Sequence, residues 1–133
     1  MGRTVTAFGA MALAVALATT AGAATKVGGP DADRLRGTNA ADRLNGRGGA
    51  DLLIGRGGDD TLRGGAGRDT LRGGAGHDEF NARDGAELPS PGNDRINARD
   101  GEADLISCGA GFDVAIVDAE EDGVYDCEDV REP

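Results

Sequence analysis

The sequence predicts an all-β chain, a solenoid of stacked 18-residue coils whose two parallel sheets enclose a column of apolar side chains. Three observations predict it. Asp33, Asp42, Asp51, Asp60, Asp69 and Asp78 recur every nine residues. Two residues after each stands one apolar side chain: Leu35, Leu44, Leu53, Leu62, Leu71 and Phe80. A glycine-rich segment precedes each aspartate, as in Gly64-Gly65-Ala66-Gly67-Arg68-Asp69 and Gly73-Gly74-Ala75-Gly76-His77-Asp78. A repeat at fixed period denotes one structural unit stacked on copies of itself.

Within each nonapeptide, glycines admit positive φ, so six residues can turn tightly. The remaining three form a short strand. Period-two alternation sends the leucine to one face and Arg34, Arg36, Arg63 and Arg72 to the other. Two strands and two turns make one coil. Stacked coils then place Asp33, Asp51 and Asp69 on one ladder of turns, and Asp42, Asp60 and Asp78 on the other, at the ~4.8 Å strand spacing.

Carboxylates so stacked repel one another, by roughly 1 kcal/mol per pair at ~4 Å in water and more near protein. A divalent cation between the rungs reverses that sign. Ca²⁺ takes six to eight oxygen ligands at about 2.3–2.6 Å, which Asp carboxylates and turn carbonyls supply, whereas Mg²⁺ demands a tighter octahedron and keeps its waters. One His and two Cys provide no nitrogen–sulfur set for zinc.

Composition requires such a partner. The chain has no Trp, one Tyr and three Phe against 24 Gly. A single leucine per nine residues buries too little to offset a chain entropy of about 1–2 kcal/mol per residue. The 24 acidic residues, 17 of them Asp, outweigh 14 Lys and Arg, which argues against nucleic acid and anionic membranes as partners. Collagen is excluded because it needs Gly every third residue. Disorder explains neither the Asp register nor its leucine partner.

The first 23 residues read as a signal peptide: Arg3, an apolar alanine-rich run from Val5 to Thr20, then Ala21-Gly22-Ala23 before a cleavage at Ala24. The run is too short and too poor in large apolar residues to be a transmembrane anchor. The mature chain is therefore expected to lack a transmembrane segment and to be extracellular, free or at the cell surface.

The repeats resemble the RTX, or hemolysin-type, calcium-binding nonapeptide G-G-x-G-x-D-x-(apolar)-x, which residues 64–80 match at every defined position. Residues 46–54 and 55–63 place Arg47 and Arg56 second, and the turns before Asp33 and Asp42 lack the fourth glycine. The resemblance implies a right-handed parallel β-roll stapled by calcium. It further implies that the six aspartate side chains and the backbone carbonyls of Gly46, Gly48, Gly55, Gly57, Gly64, Ala66, Gly73 and Ala75 bind Ca²⁺. About four ions are expected in residues 24–81, with the first two turns cap-like and weaker.

Residues 82–99 read as an irregular repeat with a loop at Pro89-Ser90-Pro91-Gly92. Residues 100–133 resemble the C-terminal segment of small secreted bacterial calcium-binding proteins of the same family and imply a less regular capping region of larger coils. Asp94, Asp104, Asp113 and Asp122 there either bind calcium or solvate the end, and the register of Val114-Ala115-Ile116-Val117 stays open. Cys108 and Cys127, 19 residues apart in an exported chain, are expected to form a disulfide between adjacent rungs, worth roughly 3 kcal/mol.

Catalysis is not expected. His77 occupies a variable turn position, Ser90 and Ser107 have no histidine placed to activate them, and the repeat accounts for the paired carboxylates. The expected function is a secreted calcium binder that folds on extracellular Ca²⁺. The alternative is a surface or matrix adhesion module whose arginine-bearing faces contact an acidic cell-surface polymer; oligomeric state is not legible.

Overall fold

The computed structural model describes residues 22–82, 92–118 and 122–132. The expected signal peptide falls almost wholly outside these residues, as does the Pro89-Ser90-Pro91 part of the expected loop. Among the described residues there is no helix long and apolar enough to cross a membrane.

The described residues form twelve strands: β1 (Thr25–Val27), β2 (Arg34–Arg36), β3 (Arg43–Gly48), β4 (Leu52–Gly57), β5 (Thr61–Ala66), β6 (Thr70–Ala75), β7 (Glu79–Asn81), β8 (Arg95–Asn97), β9 (Leu105–Ser107), β10 (Val114–Ile116), β11 (Gly123–Tyr125) and β12 (Asp129–Arg131). Odd-numbered strands pair in parallel as one sheet and even-numbered strands as the other. This is a parallel β-roll of about five turns.

Registers follow the repeat. Leu44 lies opposite Leu62 and Lys26, and Leu53 opposite Leu35 and Leu71. Leu44, Leu53, Leu62, Leu71, Phe80, Ile96, Ile106 and Ala115 fill the space between the sheets and are essentially inaccessible. Each contributes an aliphatic or aromatic face to the stack, at about 25 cal/mol per Å² removed from water. On the outward faces Arg34, Arg36, Arg63 and Arg72 are exposed, while Asn45, Leu52, Ile54, Thr61 and Thr70 are half-buried.

The coil enlarges once. Asp94 stacks on Asp69 across 25 residues, and Asp104 on Asp78 across 26, absorbing the insertion; the next steps return to 19 and 18. The strands β7–β12 are three residues long, against six in β3–β6. The C-terminal region is thus less regular in its strands, while the expected enlargement is confined to one coil. Ala115 pairs with Ile96 and Val130, which fixes the register of the Val114–Val117 run. Cys108 and Cys127 are bonded with their Cα atoms 5.1 Å apart, tying the last coils together.

Candidate metal centre

The turns stack into two ladders. In each, one carboxylate oxygen accepts the backbone N–H of the preceding rung's aspartate. Asp33 N–H donates to Asp51 Oδ1 (2.7 Å), Asp51 to Asp69 (2.9 Å), Asp69 to Asp94 (2.7 Å) and Asp94 to Asp113 (2.8 Å). On the other side Asp42 donates to Asp60 (2.7 Å), Asp60 to Asp78 (2.8 Å), Asp78 to Asp104 (2.7 Å) and Asp104 to Asp122 (2.9 Å). All ten expected aspartates are therefore in the ladders. Sequence reasoning missed Glu128, whose Oε2 accepts the Asp113 N–H at 2.9 Å and extends the first ladder. It lies 15 residues on from Asp113, off the nine-residue period, so no spacing signal marks it.

The second carboxylate oxygen separates two kinds of turn. Asp33 Oδ2 accepts the Gly29 N–H (2.5 Å), and Asp42 Oδ2 accepts the backbone N–H and the hydroxyl of Thr38. Among the described residues, Asp51, Asp60, Asp78 and Asp104 have an Oδ2 that is buried with no hydrogen-bond partner. A buried carboxylate oxygen left so costs desolvation free energy that nothing in the polypeptide returns.

For Asp51, Asp60 and Asp78 backbone conformation explains the difference. In turns three to six the second residue has positive φ: Arg47 (77°), Arg56 (99°), Gly65 (99°) and Gly74 (106°). Gly29 and Thr38, which occupy the second place in turns one and two, lack positive φ, and there their N–H groups meet the carboxylate. Arg47 and Arg56 thus take the angles the repeat requires, a cost of about 1–2 kcal/mol each for a residue with a Cβ.

The first residue of the turn must be glycine for a different reason. A Cβ at Gly46 would sit 2.6 Å from the Gly64 carbonyl oxygen of the next rung and closer still to Asp51 Oδ2. At Gly55 the corresponding groups are Asp60 Oδ2 and the Gly73 carbonyl oxygen, the latter at 2.7 Å. A carboxylate oxygen and a carbonyl oxygen, both acceptors, therefore crowd one point between rungs. Burial pushes the Asp60 carboxyl up to about 6, Asp104 to about 7 and Asp78 to about 8, with neighbouring carboxylates adding to the effect. Asp51 is raised for the same reasons, chiefly burial. In Asp42 burial also acts upward, but the hydrogen bonds from Thr38 and Ala24 outweigh it and the carboxyl is lowered.

This donor set fits a hard cation: oxygen only, anionic, buried and short of partners. No cluster of three or more His, Cys, Asp or Glu side chains able to hold a metal occurs among the described residues. Any such ion would thus take one carboxylate from each turn and complete its shell with backbone carbonyls. Binding would supply charge neutralisation between rungs.

Cys108-Gly109-Ala110-Gly111-Phe112-Asp113 is a further turn of the same kind, with positive φ at Gly109 (103°) and Gly111 (139°). Glycines at the second and fourth places were the legible signal. His77 binds the Ala103 carbonyl through Nδ1 (2.7 Å) and takes part in no nucleophile–base pair among the described residues.

Two parallel sheets joined by turns that stack into carboxylate ladders define a parallel β-solenoid. The sequence profile of the RTX calcium-binding nonapeptide repeat (four copies) matches residues 27–62 and again residues 54–86. Residues 27–86 of the chain are thus RTX nonapeptide repeats. Comparison with curated proteins and with solved structures returned no match.

Proposed function

We propose that this chain is a secreted calcium-ion-binding protein whose roll is completed by extracellular Ca²⁺ held between stacked turns. The observation that carries the reading is the set of buried Oδ2 atoms of Asp51, Asp60, Asp78 and Asp104, which lack a hydrogen-bond partner among the described residues. Asp33, Asp42, Asp69, Asp94, Asp113 and Asp122 are the remaining ladder carboxylates, with carbonyls of Gly46, Gly48, Gly55, Gly57, Gly64, Ala66, Gly73 and Ala75 as backbone ligands. About four ions are proposed for the regular repeats, with further ions between the rungs built on Asp94, Asp104, Asp113 and Asp122. An N-terminal signal peptide is proposed to direct export, and the Cys108–Cys127 disulfide accords with an oxidising compartment. Its role is structural rather than catalytic. Isothermal titration of the chain from Ala24 onward with Ca²⁺ tests this; heats matching several ions per chain are expected, and no saturable heat would refute it.

A second reading, an adhesion module on the same scaffold, is favoured by the basic outer faces of the sheets.

A further inference from the structure

The two outer sheet faces carry the same four-residue arrangement. On the odd-numbered sheet, Arg43 and Asn45 of β3 lie opposite Thr61 and Arg63 of β5. On the even-numbered sheet, Arg95 and Asn97 of β8 lie opposite Arg72 and Thr70 of β6, with Thr70 facing Arg95 and Asn97 facing Arg72. Each quartet thus sets two guanidinium groups on a diagonal, with one hydroxyl and one carboxamide on the other diagonal. All eight residues alternate with core leucines or Ile96, so they point away from the roll. Each quartet borders a shallow depression, of about 240 Å³ on the first face and about 150 Å³ on the second.

These arginines are unusual in so acidic a chain. The formal net charge is −10. Yet none of Arg43, Arg63, Arg72 and Arg95 makes an ion pair among the described residues, where the one pair found joins Arg131 to Asp129. The reason is segregation. Among the described residues, all acidic side chains but Glu79 occupy the turns or the C-terminal rung. Along β2, β4, β6, β8 and β10 the outer positions include no Asp or Glu, and along β1, β3, β5, β7 and β9 they include Glu79 alone. The faces are left basic and the edges acidic.

We propose that the two quartets are matching binding sites for the carboxylate groups of an acidic polysaccharide. Because they lie on opposite outer faces, one chain bridges two polymer strands. Planar guanidinium groups suit carboxylates bidentately. Thr61, Thr70, Asn45 and Asn97 add both donors and acceptors, which sugar hydroxyls use and polyphosphate, an acceptor only, does not. Neither quartet contains an aromatic side chain on which a nucleic-acid base could stack. The acidic edges repel a densely charged polyanion more than a sparsely charged one. Two sites on one rigid body raise avidity and cross-link strands without new contacts.

The inference deepens the adhesion reading and depends on the calcium reading only in that the roll must be folded. Calcium titration and circular dichroism before polymer is added report on that reading separately. The test uses the calcium-loaded chain with hyaluronan, with dextran as the neutral control and polyphosphate as the phosphate arm. Saturable hyaluronan binding with rising light scattering is expected, and dextran should not bind. The pairs Arg43→Gln/Arg63→Gln and Arg72→Gln/Arg95→Gln should each keep binding while abolishing the scattering that reports bridging. The fourfold variant should bind about tenfold or more weakly, with unchanged circular dichroism, since four charge-assisted contacts are gone. Folded protein that ignores hyaluronan, binds dextran or polyphosphate equally well, or binds hyaluronan undiminished in the fourfold variant would overturn the proposal.

Discussion

The first two turns and the four that follow use the same carboxylate in different ways. In residues 37–42 the polypeptide satisfies both oxygens, Asp42 taking the N–H of Ala24 on one and that of Thr38 on the other, and in residues 28–33 the Gly29 N–H satisfies the second oxygen of Asp33. From residue 46 to residue 78 the second turn residue rotates to positive φ and the second oxygen of Asp51, Asp60 and Asp78 is left buried without a donor. An end rung has one neighbour and water on its other side, so it can be self-sufficient. An interior rung is pressed between two others, and its second turn residue, at positive φ, gives the carboxylate no N–H. The difference teaches where the stability of the roll is held in reserve for an ion.

The largest effect that sharpens this comparison is expected from the aspartates themselves. Asp60→Ala strands the buried Asp42 N–H, about 1–3 kcal/mol, and removes a proposed calcium ligand as well. Asp33→Ala removes a carboxylate that faces an open end and should cost distinctly less. Thermal melts in saturating Ca²⁺ compare the two; equal losses would erase the distinction between end and interior. Next comes Gly55→Ala, whose Cβ would meet the backbone oxygen of Gly73 at 2.7 Å as well as Asp60 Oδ2. A loss of about 1–3 kcal/mol is expected, together with weakened calcium binding.

Acidity provides a third test, on metal-free protein. Asp60, Asp104 and Asp78 titrate in the fold near about 6, 7 and 8, above the ordinary value of 3.8. Between pH 4 and 8 the folded chain therefore binds more protons than the unfolded one, so stability falls as pH rises. The contribution is complete below pH 4 and lost through pH 6–8. Compact structure in EGTA should be greater at pH 4.5 than at pH 8, and Ca²⁺ uptake near neutrality should release protons; a chelated chain that gains structure with rising pH would contradict this.

Smaller effects separate the turn types further. Arg56→Gly should stabilise the roll by up to about 1 kcal/mol, because φ of 99° strains a residue with a Cβ, offset in part by the added freedom of glycine when unfolded. Thr38→Val should cost about 0.5–1.5 kcal/mol and leave the calcium stoichiometry unchanged, since its hydroxyl serves Asp42 and the Ala40 N–H. Differential scanning fluorimetry resolves both.

Much of this was legible in the sequence because a solenoid turns period into space. Nine-residue spacing placed Asp33 through Asp78 on their ladders, and a separation of 19 placed Cys108 beside Cys127. What escaped notice depended on size and on insertion. Ala115 is too small to stand out as a core residue beside Val114, Ile116 and Val117, so its coil looked irregular although Gly109 and Gly111 mark a regular turn. The surplus residues before Asp94 hid its place above Asp69. The two-way behaviour of the turns was hidden as well, because composition does not say whether Arg47 accepts positive φ or whether Thr38 donates to its own aspartate.

The measurement that bears most directly on the central claim is far-ultraviolet circular dichroism of the chain from Ala24 onward, in EGTA at pH 7.5 and then in excess Ca²⁺. Conversion from a largely unordered spectrum to a β-rich one is expected, with a midpoint that follows free Ca²⁺. A spectrum already β-rich in EGTA and indifferent to Ca²⁺ would contradict the account.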